Sequence, residues 1–150
     1  MSLESREWLE PVSALDVSVR AQILSILLEL QQKKRIALLF ISHDLAVVER
    51  VADRIAVMYA GKIVEEGEAS RLMEFPLHPY TQVLLSSVPV ADRRRKRRRI
   101  RLTGEVPSPM QPMAGCSFAS RCPEVRDICR QVAPPLEIKS AGHHAACHLR

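Results

Sequence analysis

The sequence contains no G-x-x-x-x-G-K-[ST] and only five glycines in 150 residues. That excludes the backbone nest and lysine that cradle β- and γ-phosphates. Long apolar runs are also lacking. The longest, IALLFI at Ile36 to Ile41, falls far short of the roughly 20 residues needed to span a bilayer as a helix, so any membrane role must go through partners. The first ten residues, MSLESREWLE, have no apolar middle of the secretory-signal kind, and the chain reads as cytoplasmic. Aromatic residues make up 4% of the sequence. None interrupts the basic run Arg93 to Arg99, which argues against base stacking and so against nucleic acid as a partner.

What is present suffices for a folded core, with 47% hydrophobic residues. The formal charge of +5 sits largely in RRRKRRR, Arg93 to Arg99, and the remainder is near neutral. The run reads as a self-repelling solvated linker able to touch anionic lipid. Four cysteines in a chain read as cytoplasmic favour metal or cluster ligation over disulfides, because thiols there are kept reduced.

Periodicity sets out the order of elements. Asp16 is a suitable N-cap, and Val19, Ile23, Ile26, Leu27 and Leu30 recur at helical spacing, predicting a helix to about Lys34 with one face on a core. IALLFI predicts a strand buried on both faces. A shorter helix follows His43, with Leu45, Val48 and Val51 or Ala52 inward. RIAVMYAGKIVEEG alternates about Gly61 and predicts a hairpin. Short helices are expected near Ala69 to Glu74 and from Tyr80 to about Ser87, with Pro79 at a first helical position. From Pro89 to Gly115 the chain reads as a linker, partly ordered near Ile100 to Leu102. The segment from Gly115 onward is poor in large apolar residues and is expected to need a staple.

Two motifs carry phosphate chemistry. In EPVSALD, a carboxylate at Glu10 could orient an attacking water and Asp16 could hold a turn at a nucleotide interface; plain helix capping and a solvated acid explain the same residues. In FISHDL, His43 follows a buried strand and points off the carboxyl edge of a sheet, where an imidazole can meet a phosphate oxygen; a capping Ser42 beside an incidental histidine is the alternative. Together, EPVSALD and LLFISHDLAVVERVADRIAVMYAGKIVEEG closely resemble the second half of an ATP-binding cassette. The following GEASRLMEFPLHPYTQVLLSSVP, with HPYT at His78 to Thr81 and a cysteine-bearing tail, resembles the C-terminal extension of ATP-binding subunits of oligopeptide and dipeptide importers.

The resemblance implies roles. Glu10 matches the glutamate closing the Walker B motif and would polarise the attacking water. Ser13 to Asp16 match the D-loop at the ATP interface between two subunits, and His43 matches the histidine that contacts the γ-phosphate. ATP and Mg²⁺ are the implied cofactors. The implied partners are membrane permease subunits, a second ATP-binding subunit and, indirectly, a substrate-binding protein, with the chain peripheral on the cytoplasmic face. The departures are large. The signature LSGGQ, the glutamine loop and an apolar strand before Glu10 are missing, and Leu9 stands where the magnesium-holding aspartate belongs. The chain by itself is therefore expected to be inactive on ATP.

Cys116, Cys122, Cys129 and Cys147 are separated by five, six and seventeen residues, unlike the tight knuckles of a zinc ribbon. Four thiolates suit tetrahedral zinc or a cubane cluster, and the resembling family implies a [4Fe-4S] cluster, with zinc or unligated thiols as alternatives. His143, His144 and His148 lie near enough in sequence to compete as ligands.

The expected fold is α/β: the C-terminal part of an ABC-type P-loop nucleotide-binding domain (residues 1–75) followed by a helical and irregular C-terminal cysteine-bearing extension (76–150). The extension holds an arginine-rich linker at 92–101 and the cysteines at 116–147. An incomplete sheet with an exposed edge is expected. The expected function is that of a partial ATP-binding component in ATP-driven peptide uptake. A catalytically dead remnant or a free-standing iron-sulfur or zinc module is the alternative.

Overall fold

The computed structural model describes residues 5–9, 17–88, 100, 102 and 114–150. Two compact units divide the chain, Met1–Ala52 and Asp53–Arg150.

The first unit is a β-α-β crossover followed by a short helix. Strand β1 (Ser5–Leu9) and strand β2 (Ala37–Ile41) pair in parallel, from Ser5 opposite Ala37 to Leu9 opposite Ile41. Helix α1 (Val17–Lys34) connects them, as a parallel pair requires. Lys33 and Lys34 occupy its last turn, where basic charge complements the helix dipole. Arg35, at φ 52°, closes the helix in the left-handed region. A strand thus forms before Glu10 although the sequence offers no apolar run there, because a parallel ladder is built from backbone groups that any residue except proline supplies.

Two burial expectations are corrected. Strand β2 alternates between exposed and half-buried positions, with Leu39 51% and Ile41 43% exposed, and is not covered on both faces. Along α1, Ile23 and Leu27 are half-buried but Val19, Ile26 and Leu30 are exposed. Apolar periodicity records which face can be buried; a second layer is needed to bury it. Helix α2 (Leu45–Val51) forms as expected, with Val47 rather than the expected residues as its buried position.

The second unit is built on the hairpin of β3 (Arg54–Tyr59) and β4 (Lys62–Glu68). Tyr59 faces Lys62 across a two-residue turn in which Ala60 (φ 47°) and Gly61 (φ 76°) are both left-handed, the turn whose twist matches paired strands. Ile55, Val57 and Tyr59 bury alternate side chains of β3. Helix α3 (Ala69–Glu74) and helix α4 (Pro79–Ser86) follow, with Pro79 in the first turn, where its missing N–H costs nothing. The backbone N–H of Ile100 donates to Ser86 Oγ at 3.1 Å, so the linker is anchored there as expected. Arg93 to Arg99 lie outside the described residues.

The C-terminal segment corrects the expectation of a helical and irregular extension. It forms helix α5 (Asp127–Gln131) and strands β5 (Glu137–Ser140) and β6 (His143–Ala145). Strand β6 pairs with β4, giving an antiparallel sheet of order β3-β4-β6-β5. A segment poor in large apolar residues is thereby stabilised by an existing sheet edge. Its one large apolar core side chain, Phe118, is fully buried.

The turn generates a prediction. Ala60 carries a Cβ in a left-handed conformation that asparagine tolerates better, so Ala60→Asn should stabilise the second unit by about 1 kcal/mol. A thermal melt checks this; an unchanged or lower midpoint would mean that the hairpin turn is not of this type.

Candidate functional site

Of the residues expected to handle phosphate, Glu10, Ser13 and Asp16 lie outside the described residues. His43 is exposed on the short turn between β2 and α2. Ser42 Oγ accepts from the backbone N–H of Asp44 at 3.0 Å. The Asp44 carboxylate caps α2 through the N–H groups of Ala46 and Val47 at 3.1 and 3.4 Å. The capping role expected of Ser42 therefore belongs to Asp44. Because Leu9 and Ile41 are register partners, the two strands end level, one residue before Glu10 and two before His43.

The second unit holds a denser arrangement, centred on Glu65, a residue the sequence reading passed over. Its side chain is fully buried in β4. One oxygen accepts from the Leu77 N–H at 2.7 Å and the other from the His78 N–H at 2.8 Å. The first also accepts from Nε2 of buried His143 at 2.7 Å. A buried carboxylate persists only when so partnered. His78 in turn caps α4, its Nδ1 accepting from the Tyr80 N–H at 3.1 Å. Burial, and secondarily the Arg150 guanidinium, lowers the His78 pKa to about 4, keeping Nδ1 an acceptor at neutral pH. Arg150 itself donates to the Leu77 carbonyl at 3.1 Å and grips both oxygens of Glu124 at 2.8 and 2.7 Å.

Phe118 joins the C-terminal segment to this frame. Its ring lies 5.1 Å from Tyr59, 5.4 Å from Tyr80 and 5.8 Å from His78, while Tyr59 and Tyr80 meet at 4.6 Å. In a chain with six aromatic side chains in all, this gathering of three fixes one end of the segment.

All four cysteines are free thiols and line one small cleft, partly open to solvent, together with His78, Pro79, Phe118 and His148. The Cys116 N–H donates to the Cys129 carbonyl at 2.8 Å. Burial raises the Cys116 pKa, and the neighbouring Cys129 and Cys147 add to it. Burial raises that of Cys122 too, with Cys116 and Cys147 adding. Backbone N–H groups of Phe118 and Ala119 oppose this at Cys116, and that of Glu124 at Cys122, by donating to sulfur. The spacing that looked too irregular for a knuckle is thus brought together by the fold. Among the described residues, however, no group of three or more His, Cys, Asp or Glu is arranged to hold a single metal ion. Of the candidate histidines, His143 is committed to Glu65, His144 lies 3.3 Å from Glu66, and His148 bonds the Val132 carbonyl at 2.9 Å from the rim of the cleft.

Residues 64–129 match the family model of the oligopeptide/dipeptide transporter C-terminal region. A probable peptide ABC transporter ATP-binding protein of Sinorhizobium fredii is 54% identical over 141 residues, covering 94% of this chain and 40% of that protein. The oligopeptide transport ATP-binding protein AppF of Bacillus subtilis is 51% identical, covering 93% of this chain and 43% of that protein. The dipeptide transport ATP-binding protein DppF of Escherichia coli is 49% identical, with 92% and 41% covered. The chain belongs to the family of peptide ABC transporter ATP-binding proteins and carries its C-terminal region. It spans less than half the length of these curated relatives.

Two predictions follow from the site. A Cβ on Gly115 would come within 2.4 Å of the Cys129 carbonyl oxygen and 2.6 Å of Arg130 backbone atoms. Gly115→Ala should therefore break the Cys116–Cys129 backbone bond and destabilise the second unit by a few kcal/mol, of order ~2; a denaturant midpoint equal to that of the parent chain would refute it. For His78, a folded pKa lowered from 6.5 to about 4 means stability is fully present above pH 6.5 and lost as pH falls toward 4. The loss is up to about 3 kcal/mol. His78→Asn keeps a cap but removes the titration, so its melting temperature should vary less over that window than that of the parent chain.

Proposed function

We propose that this chain contributes the C-terminal part of the ATP-binding component of an ABC importer for oligopeptides or dipeptides, coupling ATP hydrolysis to peptide uptake. The observation that carries this reading is the match over residues 64–129, continuous in one chain with the β-α-β unit that sets His43 beyond the end of β2. In the assembled transporter, Glu10 orients the attacking water, His43 contacts the γ-phosphate, and Ser13 and Asp16 serve the interface with a second ATP-binding subunit. Permease subunits in the membrane are the coupled partners, fed by a substrate-binding protein, and the location is peripheral at the cytoplasmic face. Among the described residues no helix is long and apolar enough to cross a membrane.

The residues present do not complete a nucleotide site. No P-loop occurs in the sequence, and Leu9, at the end of β1, has no group to hold magnesium. Glu10 and His43 can act only on a phosphate held by groups other than those of this chain. Calorimetric titration of the purified chain with Mg-ATP should give no saturable heat in the micromolar range; a micromolar Kd would overturn this part of the reading.

A second reading concerns the thiols and is favoured by their convergence on one cleft. We infer that they hold a [4Fe-4S] cluster. Tetrahedral zinc with bonds of about 2.3 Å needs its four sulfurs within about 3.8 Å of one another. A cubane places one thiolate on each of four irons and separates them further. The thiols fit the group chemically too: burial and the neighbouring thiols raise the pKa values of Cys116 and Cys122, and a cationic core would relieve the repulsion between thiolates. When bound, the cluster supplies four iron–sulfur bonds that staple the segment. Anaerobic reconstitution should yield about four irons and four acid-labile sulfides per chain, and Cys147→Ser should abolish this. One tightly bound zinc without sulfide would overturn it.

The two divisions of the chain answer different questions. The boundary expected near residue 75, between the cassette and its extension, is a reading of sequence motifs. Packing divides the chain at residues 52 and 53, because the hairpin and the extension share a sheet.

A further inference from the structure

We propose that Glu65 is a positioning residue for the four-cysteine site, which is complete only when the C-terminal segment is docked on strand β4. This rests on the cluster reading above and extends it to a residue that is not a ligand. The cleft is assembled from separate pieces of chain. Cys116 and Cys122 come from the turn that carries Phe118, Cys129 from α5, Cys147 from the residues after β6, and a further wall from His78 and Pro79 at the start of α4. Apart from the proposed cluster, nothing covalent crosslinks them.

Glu65 touches two of these pieces at once. Its Oε2 fixes the His78 backbone at 2.8 Å, which seats the His78 wall, and its Oε1 holds the His143 imidazole at 2.7 Å, four residues before Cys147. The backbone reinforces the second grip. Glu65 pairs with Ala145 across β4 and β6, and the Ala146 N–H donates to the Val64 carbonyl at 2.8 Å, leaving Cys147 as the next residue. Gly67, two residues further along β4, leaves room for the His143 ring, whose Cδ2 would lie 3.1 Å from a Cβ placed there. Cys147 is therefore located by β4, and the His78 wall of the cleft by the same carboxylate. A free-standing cysteine module would need these seats within the C-terminal segment, whereas they lie in residues 64–79. Partners behind metal ligands typically contribute 10–100-fold to metal retention, and Glu65 occupies that role here at one remove, through His78 and His143.

The test uses the full chain, reconstituted anaerobically with iron and sulfide. It compares the parent with Glu65→Ala, Glu65→Gln and, as a control, Leu72→Ala, a buried residue of α3 that does not line the cleft. The readout is the decay of the visible cluster absorbance in air. Glu65→Ala should shorten the half-life by about tenfold or more. Glu65→Gln, which keeps one carbonyl acceptor, should fall between, and Leu72→Ala should keep the parent half-life despite a lower melting temperature. Should Glu65→Ala fail to fold, Glu65→Gln carries the test. Parent-like half-lives in both Glu65 variants, or equal acceleration in Leu72→Ala, would reduce Glu65 to general stability and overturn the proposal. If the parent chain assembles no cluster, the cluster reading fails by itself. The readout then becomes maleimide labelling of buried Cys147 in the metal-free chain: faster labelling in Glu65→Gln than in Leu72→Ala upholds the positioning role, and equal rates reject it.

Discussion

The second unit depends on one buried carboxylate. Removing Glu65 from water carries a penalty of several kcal/mol, which excellent geometry and complete hydrogen bonding must offset. Here two backbone N–H groups and one imidazole supply it. These donors come from the Leu77–His78 turn and from β6, far from Glu65 in sequence but fixed around it in space. A charge that can be satisfied in one arrangement penalises the alternatives, so register and docking are set together.

Apolar packing supplies what the carboxylate does not. Tyr59 at the end of β3, Tyr80 in α4 and Phe118 in the cysteine-bearing segment interlock by tilted and edge-on ring contacts, arrangements that the charge distribution of aromatic rings favours. The HPY sequence at 78–80 thus does three separate jobs. His78 caps a helix and faces a thiol cleft, Pro79 starts the helix, and Tyr80 grips Phe118. The first unit has no comparable anchor among its described residues. Its crossover is formed, yet several apolar side chains of α1 and β2 remain exposed.

Elements governed by local chemistry were legible in the sequence. The Ala60–Gly61 hairpin, α3 from Ala69 to Glu74 and α4 opening on Pro79 stand where turn and breaker residues put them. The strand before Glu10 was not legible, since SREWL has no apolar run and its partner is Ala37–Ile41 across an 18-residue helix. Nor was the burial of Glu65: in VEEG, Glu65 and Glu66 look alike as solvated charges, and only the side of β4 on which each falls separates them. One signal was available, since alternation through Ile55, Val57 and Tyr59 fixes the inward face of the hairpin.

By itself the sequence determined the family, the order of the elements, the absence of a phosphate-binding loop and the presence of four thiols. Each is a matter of residue identity or of spacing within one turn or helix. Tertiary structure alone decided that the C-terminal segment completes the hairpin's sheet and that the four thiols share one cleft. It also decided that His143 serves Glu65 rather than a metal. Those outcomes depend on contacts between residues as much as 82 positions apart, as between Val64 and Ala146, where sequence spacing carries no distance information and hydrogen-bond satisfaction and side-chain packing choose the partners.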